Sequence, residues 1–300
     1  MIVAIDTDPG IDDALALLLA WSSPGVEVSA ITTVAGNVPV DVATVNLLRL
    51  LELRGPSERP VIGRGAAEPL ARPLRTGQGY HGDDGLGDVP DWPAVDLAGV
   101  IDDGVTLLLD TARRHGRRLT LVALGPLTNV AHALRRDRAS FNQLGRVVVM
   151  GGAVDVPGNV TPTAEFNVWV DPEAAAEVFE CGREIDVVAL DATRQVVLTR
   201  AELASALAKL PERCAARIAA FTECGFRVDA ARGTAGMVLH DPLAVGLAID
   251  PTLARWERAR LTVTTDAGTR RVAGAPNCRI AREIDRDRFV ARFLAALGTP

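Results

Sequence analysis

Residues 2–20 read IVAIDTDPGIDDALALLLA, and this stretch decides the fold class. It opens with a β-branched-rich run at 2–5 that predicts a strand, turns through Asp, Pro and Gly, and enters a helical pattern. Ile11, Ala14, Leu15, Leu18 and Leu19 recur at the spacing of one helix face. The unit then repeats as a strand over 26–34, a Gly-Asn loop and a helix over 41–53, giving a βαβα rhythm.

The same rhythm predicts a helix over 101–115, a strand over 119–124, a helix after Pro126, a strand over 147–150, a helix from Pro172 and a strand over 186–190. Strands this apolar belong in a sheet covered on both faces. Residues 201–250 read as mostly helical, 260–272 as two strands around a turn at 266–268, and 287–297 as a closing helix. The expected architecture is α/β: an open, mostly parallel, doubly wound sheet with an appended helical region and a small β-hairpin. No Ser/Gly linker, repeat or low-complexity tract interrupts it, so 1–300 is expected to be one domain. The Gly-, Pro- and Asp-rich segment 64–93 is too long for a plain connection and is a candidate to close over a ligand.

The 300 residues are 48% hydrophobic and 23% charged, the composition of a globular protein. A net charge of −6 gives no electrostatic reason to expect nucleic acid, and Arg113, Arg114, Arg117 and Arg118 read as a solvated helix face. No apolar run reaches the ~18 residues of a membrane span, and no signal-peptide pattern precedes the first strand, so the cytoplasm is the expected location. Cys181, Cys214, Cys224 and Cys278 lack metal or redox spacing and are expected to be reduced and buried.

Four carboxylates, Asp6, Asp8, Asp12 and Asp13, crowd the point where the first strand gives way to helix. At 4 Å each ionised pair costs about 4 kcal/mol at the effective dielectric of a partly buried site. A helix N-terminus offsets only ~0.3–1 kcal/mol per charge, and no Lys or Arg stands among them. A hard cation with oxygen ligands would offset the rest, and flexible carboxylate-rich coordination suits Ca²⁺ better than Mg²⁺. First-turn decoration would account for Asp12 and Asp13 but not for Asp6 and Asp8. Far down the chain Asp241 reads as a helix cap or, with the first cluster, as a metal ligand, and His240 as a core histidine or a site residue.

Several strings carry a family resemblance. VAIDTDPGIDDALALLLA, AITTVAGN, LVALGPLTNVA, VVMGGA, GNVTPTAEFNVWVDPEAA and HDP, in that order from residue 2 to about residue 250, resemble the inosine/uridine-preferring nucleoside hydrolases. The resemblance implies a largely parallel α/β sheet, a Ca²⁺ bound at the carboxyl ends of its strands, and hydrolysis of ribonucleosides to ribose and free base. By motif position it implies Asp8, Asp13 and Asp241 as carboxylate ligands and Leu124 as a backbone-carbonyl ligand. Asp12 and Asn37 would contact the ribose or order the metal shell. Asn159, Glu165 and Asn167 would grip the sugar, with loop capping as the alternative, and Met150 would pack beneath it. His81 is expected near the sugar or base, and His240 near the base as a candidate leaving-group acid, with Asp241 close to the same substrate.

Cleaving a riboside passes through an oxocarbenium-like transition state and needs an activated water. A cation would orient and acidify that water, and Asp8 is expected to be the general base. Where some relatives place tyrosines over the nucleobase, this chain offers Cys224, Val228 and Arg232, and Tyr80 is its only tyrosine. Arg232 is expected in a salt bridge, with a base contact as the alternative. Phe166 is expected in the core, and Phe226 or Trp169 are candidate substitutes for the missing rings. A homodimer or homotetramer is expected by the same resemblance.

Two other functions compete. A strand ending in IDTD fits the DxD template of haloacid dehalogenase phosphatases, but these need a lysine beside the nucleophile, and Lys209, the only one in the chain, falls in a predicted surface helix. A Ca²⁺-dependent nucleoside- or ribose-binding protein would keep the same site, although a binder gains nothing from Asp8 beside a metal-bound water. A hydrolase of an atypical riboside remains open at this level.

Overall fold

A computed structural model describes residues 1–299. In chain order its strands are β1 (Ile2–Thr7), β2 (Glu27–Thr33), β3 (Val61–Arg64), β4 (Leu119–Ala123), β5 (Arg146–Met150), β6 (Ile185–Val188), β7 (Val197–Leu198), β8 (Met237–Val238), β9 (Ala254–Ala259), β10 (Leu261–Val263), β11 (Thr269–Arg271) and β12 (Cys278–Ile284). The central sheet has eight strands in the order β3-β2-β1-β4-β5-β6-β12-β9. Its pairs are parallel from β3 through β12, and β9 closes the edge antiparallel. The expected hairpin is the antiparallel pair β10 and β11, and β7 pairs with β8 inside the helical region.

Alternation along the strands divides the core into two layers. Val3 and Ile5 of β1 face a cluster with the helices Ile11–Ser22, His240–Ile249 and Arg286–Leu297. Ala4 faces the opposite cluster, built from Gly104–His115, Thr128–Arg136 and Pro172–Phe179. Strand β4 is buried along its whole length, as a strand between two helical layers must be.

The structure departs from expectation at the sheet's rims. Strands β3, β9 and β12 were not legible in the sequence, and β9 and β12 extend the sheet beyond β6. Their sequences, ARWERA and CRIAREI, alternate charged with apolar residues. The charges are spent in ion pairs along the edge: Arg258 with Glu184, Arg279 with Asp186, and Arg282 with Glu257. Strand β1 runs two residues past its expected end and takes in Asp6. The helix expected from residue 101 begins at Gly104, where the Asp103 carboxylate accepts the Thr106 N–H. The strand expected to reach residue 190 stops at Val188, because Leu190–Thr193 forms a short helix.

Strand β1 lies between β2 and β4, so the chain moves outward to β2 and β3 and then crosses to β4 on the other side. Such a switch of direction opens a crevice at the carboxyl ends of β1 and β4. The segment 64–93 is laid across this end. Ala66 O accepts from Ala35 N, Gly77 N donates to Asn37 O, and Leu70 N donates to the Asp171 carboxylate. Within it, Gln78–His81 forms a single helical turn.

Candidate active site

The crevice holds a pocket of about 380 Å³, with Asp12, Leu124 and Asp241 among the residues that line it. A second cavity, about 560 Å³, lies between the ends of the helices Ile11–Ser22 and Arg286–Leu297, but Leu19, Ile249, Phe289 and Phe293 give it an apolar wall. The chemistry is in the first.

One oxygen from each of Asp12, Asp13 and Asp241 lies within 4.8 Å of the others, and all three residues are buried. At that spacing each ionised pair costs roughly 3 kcal/mol at an effective dielectric near 20. Asp8 stands beside them, fully buried behind the pocket surface. Its Oδ2 accepts the Asn37 N–H at 2.7 Å, whereas its Oδ1 is buried with no partner. Gly36 and Gly125 leave it no slack: a Cβ at either position would come within 2.1 Å of Oδ2 or 2.5 Å of Oδ1. Asp13 is held by the Thr7 hydroxyl (2.5 Å), the Gly10 N–H and the Asn37 amide (both 3.0 Å). Asn37 thus hydrogen-bonds both Asp8 and Asp13 and also lines the pocket.

Burial, then mutual repulsion, pushes these acids up: Asp12 to about 8, and Asp8 and Asp241 well above the carboxylate range. Within the group, burial without a counter-charge disfavours the ionised forms of Asp8, Asp12 and Asp241. Its donors are all oxygens, one of them orphaned, and no lysine or arginine lies among them, so it fits a hard divalent cation. Asp6 is not part of this group. Its Oδ1 accepts from Thr32 Oγ1 and, at 2.7 Å, from Asn129 Nδ2, which ties β1 to β2 and to the helix Thr128–Arg136. The sequence put it in the cluster only by proximity.

The loop after β5 carries the residues expected to grip a sugar. Glu165 caps the short helix Phe166–Val170: its carboxylate accepts the N–H groups of Asn167, Val168 and Gly152. Burial raises its pKa, and those hydrogen bonds work against the shift. It also lines the pocket, so capping and ligand contact are not alternatives here. Asn167 Nδ2 donates to the carbonyls of Leu124 and Met150, and Asn159 Oδ1 accepts the Phe166 N–H. Met150, Asn159 and Asn167 all reach the pocket wall.

At the other end are His81 and His240. His81 Nδ1 accepts the Ile11 N–H at 3.0 Å, and burial lowers the ring to about 3. Asp12 Oδ1 lies 4.0 Å from that nitrogen, but a neutral ring whose Nδ1 already accepts a hydrogen bond makes no ion pair with it. His240 is likewise lowered to about 4 by burial, and its Nδ1 meets the Thr193 hydroxyl at 2.8 Å. Thr193 sits on an unremarked helical turn 47 residues upstream, and nothing in its sequence signals the contact.

Several expectations for this end are corrected. Arg232 makes no salt bridge among the described residues. It lines the pocket with its guanidinium 5.4 Å above the Tyr80 ring. Cys224 and Val228 do not line the pocket; Cys224 packs its Sγ against the Tyr80 carbonyl (3.4 Å). Phe166, expected in the core, and Trp169 form an aromatic wall, while Phe226 is buried elsewhere under Arg200. The four cysteines are unpaired, Cys214 only half-buried. Lys209 is exposed beside Gly298 and does not line the pocket, which removes the phosphatase reading.

Comparison with known proteins agrees with this geometry. The pattern of the inosine-uridine preferring nucleoside hydrolases matches residues 3–291. A probable uridine nucleosidase 2 of Arabidopsis thaliana is 37% identical over 273 residues, spanning 89% of this chain and 83% of its own. A pyrimidine-specific ribonucleoside hydrolase of Salmonella schwarzengrund is 36% identical over 301 residues, spanning 96% and 95%. Among solved structures, a plant nucleoside hydrolase matches with TM-score 0.92 at 34% identity, over 100% of this chain and 99% of its own. A purine-preferring ribonucleoside hydrolase from Gardnerella vaginalis matches with TM-score 0.92 at 29% identity, over 99% and 98%. The chain belongs to the inosine-uridine preferring nucleoside hydrolase family and is an N-ribosyl hydrolase.

Proposed function

We propose that the protein hydrolyses the N-glycosidic bond of ribonucleosides, pyrimidine ribonucleosides foremost, with Ca²⁺ held by Asp8, Asp13, Asp241 and the Leu124 carbonyl. The observation that carries this reading is the Asp8 carboxylate, whose Oδ1 is buried and unpartnered among three further acids at the sheet's switch point. When bound, Ca²⁺ supplies the Lewis acidity that lowers the pKa of an attacking water.

The protein's own groups do the rest. Asp8 accepts the proton of that water as it attacks C1′. Asp12, Asn37, Asn159, Glu165 and Asn167 bind the ribose hydroxyls, which donate and accept and so suit carboxylates and amides. Met150 packs beneath the sugar. Neutral His81 and His240 face the base, and His240, with Nδ1 turned to Thr193, offers its other nitrogen as a hydrogen-bond donor to the leaving group. The pyrimidine preference rests on the relatives named for uridine and for pyrimidine ribonucleosides. The unpaired thiols suit a reducing compartment such as the cytoplasm. We read 1–300 as one domain that assembles as a homodimer or homotetramer, which light scattering measures directly.

The deciding experiment follows release of ribose and base from a panel of ribonucleosides, with Asp8→Ala and a chelated sample alongside. Turnover of uridine that disappears in both and returns with Ca²⁺ is the expected result. Turnover that survives chelation would overturn the metal assignment, and turnover only of another riboside would overturn the substrate.

A further inference from the structure

Among the residues lining the pocket, Arg232 is the only lysine or arginine, and every other formally charged lining residue is acidic. It closes the helix Glu212–Ala231 at the C-cap position, with its side chain exposed. Its guanidinium rests 5.4 Å above the Tyr80 ring, and no carboxylate among the described residues forms a salt bridge with it. The platform beneath is fixed: the Tyr80 hydroxyl donates to Asp229 at 3.0 Å, and Asp229 also accepts the Val238 N–H at 2.8 Å. Tyr80 in turn meets His81 edge-on at 4.8 Å. A cation with no salt-bridge partner is thus parked on an aromatic shelf beside His81 and His240.

We propose that Arg232 receives the departing nucleobase. This inference rests on the hydrolase reading above and assigns the leaving-group side of the same site. As the C1′–N bond breaks, its electron pair leaves with the base nitrogen. The water oxygen bonds to C1′, one water proton passes to Asp8, and the anionic base is protonated from solvent after release. A guanidinium carries only donors, so it pairs with the carbonyl oxygens on which that negative charge accumulates. Bases with such oxygens, such as uracil and hypoxanthine, are favoured over adenine, which has none.

The test compares wild type with Arg232→Gln and Arg232→Lys on uridine, adenosine and p-nitrophenyl riboside, whose nitrophenolate leaves without assistance. Removing a preorganised donor to a developing anion costs on the order of 10²-fold in rate. Arg232→Gln is therefore expected to lose about 100-fold in kcat on uridine, less than 10-fold on the nitrophenyl riboside, and most of the preference for uridine over adenosine. Arg232→Lys, which keeps the charge, should recover part of the uridine rate. Equal losses on uridine and the nitrophenyl riboside, or a uridine kcat within threefold of wild type, would overturn the assignment. A wild-type protein inactive on all three would overturn the hydrolase reading first, and this one with it.

Discussion

Gly125→Ala tests whether Asp8 works from the place where the fold holds it. The added Cβ would come within 2.5 Å of Asp8 Oδ1, 2.9 Å of its Cγ and 2.9 Å of Val34 Cγ1. Ordinary contact begins near 3.4 Å, so the carboxylate must give way by about 1 Å. It has nowhere easy to go, because the Gly36 backbone lies so close to Oδ2 that a Cβ there would come within 2.1 Å, and the Asn37 N–H holds that oxygen at 2.7 Å. Gly125 is not among the residues with positive φ, so alanine adds bulk without backbone strain. A misplacement of about 1 Å in a catalytic group costs on the order of 10²-fold in rate, equivalent to about 2.7 kcal/mol in the barrier. Overpacking removes roughly 1–3 kcal/mol of stability, so the folded fraction must be measured in parallel. The assay is ribose release from uridine at saturating Ca²⁺, with kcat expressed per folded molecule from urea unfolding. A kcat within threefold of wild type, whatever the stability change, would refute the claim that Asp8 needs its present position.

Burial pushes the Asp6 carboxyl up to about 7, so between pH ~4 and ~7 the folded chain keeps a proton that the unfolded chain has released. Stability therefore falls as pH rises through that window, by up to about 4 kcal/mol from this group. Asp6→Asn should flatten the fall; urea midpoints with the same pH slope as wild type would count against it. Glu165→Ala removes the acceptor for three backbone N–H groups. It should cost about 1–2 kcal/mol of stability and raise KM for ribosides, whereas an unchanged KM would confine Glu165 to capping. Thr193→Val leaves His240 Nδ1 without its hydroxyl partner. It should cost roughly 1 kcal/mol of stability and lower kcat on uridine more than on p-nitrophenyl riboside, and equal effects on the two would exclude a leaving-group role for His240.

How far each part of the molecule could be read from the sequence follows from where its information lies. Strands β1, β2, β4, β5 and β6 are apolar because helices cover both their faces, and that burial is written locally in the hydropathy. Strands β9 and β12, the outer part of the sheet, carry arginine and glutamate that look like solvated chain until Arg258 is seen against Glu184, Arg279 against Asp186 and Arg282 against Glu257. The acidic group was legible for the opposite reason. Like charges packed at a strand end stand out electrostatically along the sequence, and the structure gathers Asp12, Asp13 and Asp241 into a group that could hold a metal ion. The same logic overreached with Asp6, because adjacency along β1 does not say which side chain meets Thr32 and Asn129 and which meets Asp13.

The histidine end of the pocket could not be read this way, since it violates no local rule. Tyr80 and Asp229 are 149 residues apart, and each alone is ordinary. Only when the segment 64–93 folds across the sheet does Tyr80 become a shelf, and only then does Arg232, expected to find a carboxylate, lie over a ring instead. A guanidinium held by a ring keeps its hydrogen-bond donors free, whereas one held by a carboxylate has them engaged. The correction at Arg232 therefore changes its chemistry as well as its neighbour, making it a group that can still bind an anion.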